Sequence, residues 1–160
     1  MDAPLLYFAY GSNLRSAQMR RLCPGHIFVA PARLDGHRLA FTLPDEEWAG
    51  GVADLVPATG REVWGALYRI TMEDLAALDA YEGFDPEGTP EQNAYDRRCI
   101  DVTTVDGILH RDVWCYFAHN PRGHVTPSEA YRAALLEGAT ERGLPISHVD
   151  AMRAAFEESE

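Results

Sequence analysis

Three features of this chain have residue types and spacing that suit chemistry: a carboxylate at Glu82, a glycine-broken turn at Tyr10-Gly11-Ser12-Asn13-Leu14, and the pair Gly50-Gly51. Glu82 ends the segment Thr71 to Gly83, which reads as a short helix. Thr71 can cap its start, Asp74 falls at the third helical position, and Gly83 suits the left-handed residue after the last turn. The apolar stripe runs through Leu75 and Leu78 and next reaches position 82. A carboxylate on that stripe, at the negative end of the helix dipole, has its pKa pushed toward neutrality, which suits a general base. A frayed last turn with Glu82 in water satisfies the same periodicity.

At Tyr10 to Leu14 an apolar segment delivers the chain to a glycine, then to small polar residues, then to a helix. Successive backbone N–H groups at such a turn form an anion nest, and Ser12 and Asn13 add directional contacts. There is no further glycine pattern and no Lys, which excludes a dinucleotide fingerprint and a Walker loop. A carboxylate fits such a turn better than a pyrophosphate, although an ordinary strand-to-helix turn looks the same in sequence. Gly50-Gly51 allows close approach of a ligand or of another backbone, or a bulge.

Several elements must position these residues. Leu5 to Tyr10 reads as a buried strand and Ser16 to Leu22 as a helix ended by Pro24-Gly25. Strand patterns follow at Ile27 to Leu34, His37 to Thr42, Gly51 to Val56 and Glu62 to Ile70, with turn residues at Asp35-Gly36 and Thr59-Gly60. Asp85 to Ala94 is a polar loop. Tyr95 to Val105 and His110 to Ala118 form a hairpin across Asp106-Gly107. Thr126-Pro127-Ser128-Glu129 reads as cap, first-turn proline and capping-box acid of a helix running to Arg142, stopped by Gly143 and Pro145. Ser147 and Asp150 open a last helix with Val149, Met152 and Phe156 on one face. Strands, one inserted helix, more strands, then helices describe an α+β fold, a small barrel or a strongly curled sheet.

The 160 residues, 46% of them apolar, suffice for one domain spanning 1–160. No window approaches the ~18 apolar residues of a membrane span, and the N-terminus lacks a signal-peptide pattern, which points to the cytoplasm. A net charge of −11 without a basic run argues against nucleic acid and anionic membranes as partners. The acids at Asp45 to Glu47, Asp85 to Glu91 and Glu157 to Glu160 read as solvated loops and tail. Cys23, Cys99 and Cys115 form no CxxC pair, and the latter two read as buried strand thiols. His110, His119 and His124 carry no metal-ligand spacing, so neither a metal nor another cofactor is expected.

Together these segments resemble the gamma-glutamylcyclotransferase superfamily. The resemblance rests on Tyr7-Phe8-Ala9-Tyr10-Gly11-Ser12-Asn13-Leu14, Trp48-Ala49-Gly50-Gly51-Val52-Ala53, Glu62-Val63-Trp64-Gly65 and Leu78-Asp79-Ala80-Tyr81-Glu82-Gly83. It continues with Pro127-Ser128-Glu129-Ala130-Tyr131 and Gly143-Leu144-Pro145, all in family order. It implies a small mixed β-barrel (gamma-glutamylcyclotransferase-like) with flanking helices. It also implies a cofactor-free reaction in which the α-amine of a gamma-glutamyl substrate attacks its own γ-carbonyl. 5-Oxoproline forms and an amine or amino acid leaves, the work of a cyclising transferase or lyase. In that resemblance Glu82 is the catalytic acid/base. Tyr7, Phe8, Ala9, Tyr10, Gly11, Ser12 and Asn13 make the glutamyl-binding segment. Gly50, Gly51 and Tyr131 complete the substrate contacts.

The stretch Phe84 to Ala94 directly follows Glu82 and is expected to line the leaving-group side, where its acids would favour a cationic amine. The partner is then a small gamma-glutamyl molecule, with a homodimer left open. A non-catalytic ligand-binding or interaction module on the same fold is the alternative, and a carboxylate on an apolar stripe argues against it.

Overall fold

The computed structural model describes residues Pro4–Glu158. Five strands close into a barrel in the order β1-β3-β2-β4-β5. They are β1 (Leu5–Ala9), β2 (Ile27–Asp45), β3 (Gly50–Ile70), β4 (Tyr95–Thr104) and β5 (Leu109–Ala118). The helices α1 (Ser16–Leu22), α2 (Met72–Glu82), α3 (Glu129–Glu141) and α4 (Ile146–Phe156) flank it. Neighbouring strands are antiparallel except β1 and β5, which run parallel where Tyr7 faces Trp114. The expected α+β barrel with flanking helices is what the chain forms.

The strand segments differ from expectation in length. Ile27 to Leu34 and His37 to Thr42 are one strand, as are Gly51 to Val56 and Glu62 to Ile70. The turn residues bend these strands instead of ending them. Gly36 and Gly60 both take φ +78°, and the pairing steps from Asp35 opposite Glu62 to His37 opposite Pro57. A left-handed residue there absorbs the extra chain as a bulge, which curls a long hairpin enough to close a small barrel.

Three further details depart from the sequence reading. Ser128, not Thr126, caps α3, accepting from Tyr131 N–H at 3.2 Å. Pro145, not Ser147, precedes α4, whose first residue is Ile146. Cys99 is exposed on β4, while Cys23 and Cys115 are buried. The acidic tail is not wholly free: Glu158 pairs with Arg38 at 2.9 Å, and Glu157 pairs with Arg132. Ser159 and Glu160 lie outside the described residues.

Phe8, Phe41, Leu67, Tyr68 and Val113 are among the largest fully buried side chains of the strands, on the two faces of the barrel wall. Helix α3 crosses the segment after β1 so closely that a Cβ on Gly138 would stand 2.5 Å from the Leu14 Cβ. Arg142, just past α3, donates from Nε to the Leu14 carbonyl at 2.9 Å, and the Tyr68 hydroxyl donates to the Asn13 carbonyl at 2.7 Å. The glycine turn is thus pinned from behind by a helix and by a barrel tyrosine. Among the described residues, no helix is long and apolar enough to cross a membrane.

Candidate active site

Helix α2 is held at both ends, and that fixes Glu82. At its start Thr71 Oγ1 accepts from Asp74 N–H at 3.0 Å, and Asp74 Oδ2 accepts from Thr71 N–H at 3.1 Å. This is the expected capping box, and Asp74 also accepts from Gly25 N–H at 3.2 Å, tying α2 to the end of α1. At its other end Gly83 takes φ +71°, Phe84 N–H reaches the Asp79 carbonyl at 2.9 Å, and Ala94 N–H reaches the Gly83 carbonyl at 2.9 Å. The last turn is therefore ordered, not frayed, and the final helical side chain has one place to go.

That place is a cavity of about 160 Å³. Glu82 lines it together with Tyr7, Phe8, Tyr10, Gly11, Ser12 and Asn13 of the segment around the glycine turn, and with Tyr131 of α3. Asn13 Nδ2 lies 3.4 Å from Glu82 Oε1 and donates to the Tyr7 hydroxyl at 2.9 Å. Gln18 of α1 approaches Asn13 Oδ1 at 2.7 Å and Ser12 Oγ at 3.0 Å, which fixes the Asn13 amide with its NH2 toward Glu82. Ser12 and Asn13 open a short 3-10 turn, so their N–H groups have no partner within it.

Burial pushes the Glu82 carboxyl up to about 8, with the charge of Asp45 adding to the effect. Glu82 is half-buried and lines the cavity. The charge of Asp45 was not anticipated, because Asp45 to Glu47 read as solvated acids. Asp45 and Glu47 instead line the cavity from the β2–β3 turn, beside Trp48. Asp45 Oδ2 accepts from Trp48 N–H at 2.9 Å, and Ala49 at φ +56° completes the tight reversal.

Three groups of expected contacts fall off this cavity. Gly50 and Gly51 do not line the cavity. A Cβ on Gly51 would stand 1.9 Å from the Val125 carbonyl oxygen, and Gly51 N–H donates to Thr126 O at 2.9 Å. The glycine pair admits a backbone, not a ligand. Ala9 sits in the barrel wall, also off the cavity. Of the stretch Phe84 to Ala94, only Ala94 lines the cavity, and Phe84 to Asn93 stay outside it. The loop folds on itself: Asp85 accepts from Glu87 N–H at 2.9 Å and Asn93 from Asp85 N–H at 3.1 Å.

Tyr81, Tyr95 and Tyr116 also line the cavity, and nothing in the sequence singled them out. Tyr95 and Tyr116 stand on β4 and β5, and their only local signal is a tyrosine at a strand position. Asp79, one turn before Glu82, is buried and accepts from the Tyr116 hydroxyl at 2.7 Å and from Arg97 at 2.6 Å. Arg97 lies 4.3 Å from the Trp114 ring centroid. This ion pair ties α2 to the β4–β5 hairpin behind the cavity.

A closed barrel thus carries a small cavity in which a carboxylate with a raised pKa stands beside a glycine turn whose first amides have no partner within the turn. The family model described as "Gamma-glutamyl cyclotransferase, AIG2-like" matches residues 7–133, and the chain belongs to that family. It is 33% identical over 149 residues to the gamma-glutamylcyclotransferase of Bos taurus, covering 89% of this chain and 74% of that one. Its identity to the Homo sapiens gamma-glutamylcyclotransferase is 30% over 159 residues, 96% of this chain and 79% of the relative. A solved gamma-glutamyl cyclotransferase structure superposes with a TM-score of 0.84 at 28% identity, covering 95% of this chain and 88% of the other.

Proposed function

We propose that this protein, acting as one domain, closes gamma-glutamyl amides to 5-oxoproline and releases the amine. Glu82 takes a proton from the substrate α-ammonium. The freed nitrogen attacks the γ-carbonyl, a new N–C bond closes the five-membered ring, and the bond to the leaving nitrogen breaks. Glu82 returns its proton to that nitrogen, then takes the second proton of the cationic ring nitrogen and passes it to the released amine, which leaves as an ammonium beside the neutral lactam. One carboxylate serves all these transfers when its pKa lies near the working pH. The observation that carries this reading is Glu82, held near pKa 8 inside a cavity shared with the glycine turn.

The amides of Gly11 to Asn13 suit the substrate α-carboxylate, and Tyr131, whose hydroxyl is 3.2 Å from where a Gly11 Cβ would be, suits its neighbouring oxygens. Both reacting groups belong to one molecule, so holding it folded supplies much of the rate. Ring closure needs no redox step and no group carrier, so no cofactor is assigned. The three free thiols suit a reducing compartment such as the cytoplasm. Incubation with gamma-glutamyl-alanine tests the reading: 5-oxoproline and alanine should appear in equal amounts, and intact dipeptide after prolonged incubation would refute it.

A further inference from the structure

A hydroxyl has one proton to give, so the partner it already has decides what it offers a ligand. Tyr131 accepts from Ala53 N–H at 2.9 Å and keeps its own proton. Tyr7 accepts from Asn13, and Ser12 from Gln18, with the same result. Tyr95 has given its proton to the Ala53 carbonyl at 2.6 Å, and Tyr116 has given its own to Asp79. Tyr10 has likewise given its proton to the Tyr116 carbonyl at 2.6 Å. The cavity is thereby sorted. The uncommitted donors Tyr7, Ser12 and Tyr131 lie beside the glycine turn, and the committed acceptors, the hydroxyls of Tyr10, Tyr95 and Tyr116, are fixed against β5, β3 and α2.

The two peptide groups that flank one residue, Ala53, make this sorting rigid. Ala53 N–H sets Tyr131 as a donor, and Ala53 C=O sets Tyr95 as an acceptor. Ala53, Tyr95 and Tyr131 all line the cavity, and all three are buried. Of the three acceptors, Tyr95 is the one anchored on the same residue as the donor Tyr131, whereas Tyr116 is engaged by Asp79, outside the cavity lining, and Tyr10 by the Tyr116 carbonyl. Burial opposes ionisation of both Tyr95 and Tyr131, and the charge of Glu82 adds to it, so Tyr95 stays a neutral acceptor. A zwitterionic glutamyl group needs donors at its carboxylate and acceptors at its ammonium. The cavity offers them on separate walls.

We propose that Tyr95 positions the substrate amine: its hydroxyl oxygen accepts a hydrogen bond from the α-nitrogen and holds it beside Glu82. This rests on the cyclotransferase reading for its consequence, the orientation of the attacking nitrogen. The recognition itself does not need turnover. A phenol already donating to a carbonyl is a better acceptor, because successive hydrogen bonds polarise one another.

Two ligands differing only at that nitrogen test it: gamma-glutamyl-alanine and glutaryl-alanine. Calorimetry on the Glu82→Gln protein measures both affinities with turnover suppressed. The expected result is about tenfold or more tighter binding of the amine-bearing ligand, the worth of a hydrogen bond to a charged group. Equal affinities would overturn the proposal without any substitution at Tyr95. Adding Tyr95→Phe should bring the ratio close to one while glutaryl-alanine binds within about twofold as before. A preserved ratio, or equal weakening of both ligands, would refute it. Adding Tyr131→Phe instead should weaken both ligands alike; loss of the amine preference there would place the amine on the wrong wall. Failure of the wild-type protein to form 5-oxoproline would sink the reaction and leave these ratios to judge the amine site.

Discussion

Asn13 Nδ2 stands 3.4 Å from Glu82 Oε1, and this contact joins the glycine turn to the end of α2 across 69 residues of sequence. Asn13 is itself oriented by Gln18 and anchored through its carbonyl by Tyr68. The carboxylate and the glycine turn that share the cavity are therefore placed by one network, not by two loops moving independently. Removing the Glu82 charge while keeping its shape isolates the proton transfers. Glu82→Gln should lower kcat ~10²–10⁴-fold with KM changed little, as loss of general acid/base help predicts. Turnover of gamma-glutamyl-alanine near the wild-type rate would remove Glu82 from the mechanism.

The raised Glu82 pKa makes two signed predictions. As a base Glu82 must be ionised, so kcat/KM should rise with pH toward a midpoint near 8, and Asp45→Asn should move that midpoint down. The move should be less than the full gap to the ordinary value of 4.5, because burial is the larger cause. Stability runs the other way. Between pH 4.5 and 8 the folded state keeps a proton that the unfolded chain has released, so this contribution is fully present below 4.5 and is lost as pH rises through 8. The melting temperature of Glu82→Gln relative to wild type should climb from pH 5 to pH 9. A flat difference across that window would mean that Glu82 titrates like an exposed carboxylate.

The sequence carried the barrel, the capped helix and the carboxylate on its stripe, because each is written in local periodicity and turn chemistry. It could not carry the distinction between Gly11 and Gly51. Both are glycines beside strands, and only folding shows that Gly11 faces a cavity and Gly51 faces the Val125 backbone. The acids were misread for a similar reason. Asp45 and Asp85 look alike as loop acids, but the tight β2–β3 reversal turns Asp45 inward, whereas the longer loop closes on itself and keeps Asp85 in water. Tyr95 and Tyr116 had no motif at all, since strand side chains from distant positions converge only after the barrel closes.

Gly51→Ala checks that correction. The obstructing atoms are backbone, which cannot turn aside as a side chain can. Overpacking of this kind should cost about 2 kcal/mol or more of stability, read as a lower urea midpoint. Per folded molecule, kcat/KM should stay within about threefold. A stable Gly51→Ala protein with a specific loss of substrate affinity would return the glycine pair to the binding site.

Arg142 and Tyr68 hold the glycine turn from outside the cavity, so weakening them should loosen binding without touching the proton chemistry. Arg142→Met keeps an unbranched apolar stem but removes the guanidinium that lies over Phe28 and Tyr68 and donates to the Leu14 carbonyl. KM should rise several-fold, and the pH midpoint of kcat/KM should stay with that of wild type. Arg142→Lys, which retains a cation but not the planar Nε geometry, should recover only part of the loss. A shifted pH midpoint would mean that the anchor acts through Glu82 and not through the turn.

The choice of leaving group follows from which acids face the cavity. Asp45, Glu47 and Glu82 line it, and no Lys, Arg or His does. The glutamyl unit itself brings one positive and one negative charge, so the charge of the departing amine decides the balance. An acidic amino acid would place a further carboxylate among these acids, whereas a cationic amine would be attracted. At partly solvated positions each such contact is worth roughly 0.2–1 kcal/mol, enough for a several-fold preference at low salt that fades as salt rises. Gamma-glutamyl-lysine should therefore exceed gamma-glutamyl-glutamate in kcat/KM. Glu47→Gln is the cleaner test, because Asp45 also acts on the Glu82 pKa and its replacement would change two things together. Glu47→Gln should narrow the preference, and neutralising Asp85, Glu87 and Glu91 together should leave it unchanged, since those residues face solvent. If instead the triple change narrows the preference and Glu47→Gln does not, the 85–93 loop must close over the bound substrate, and the leaving group exits beneath it and not past the β2–β3 turn.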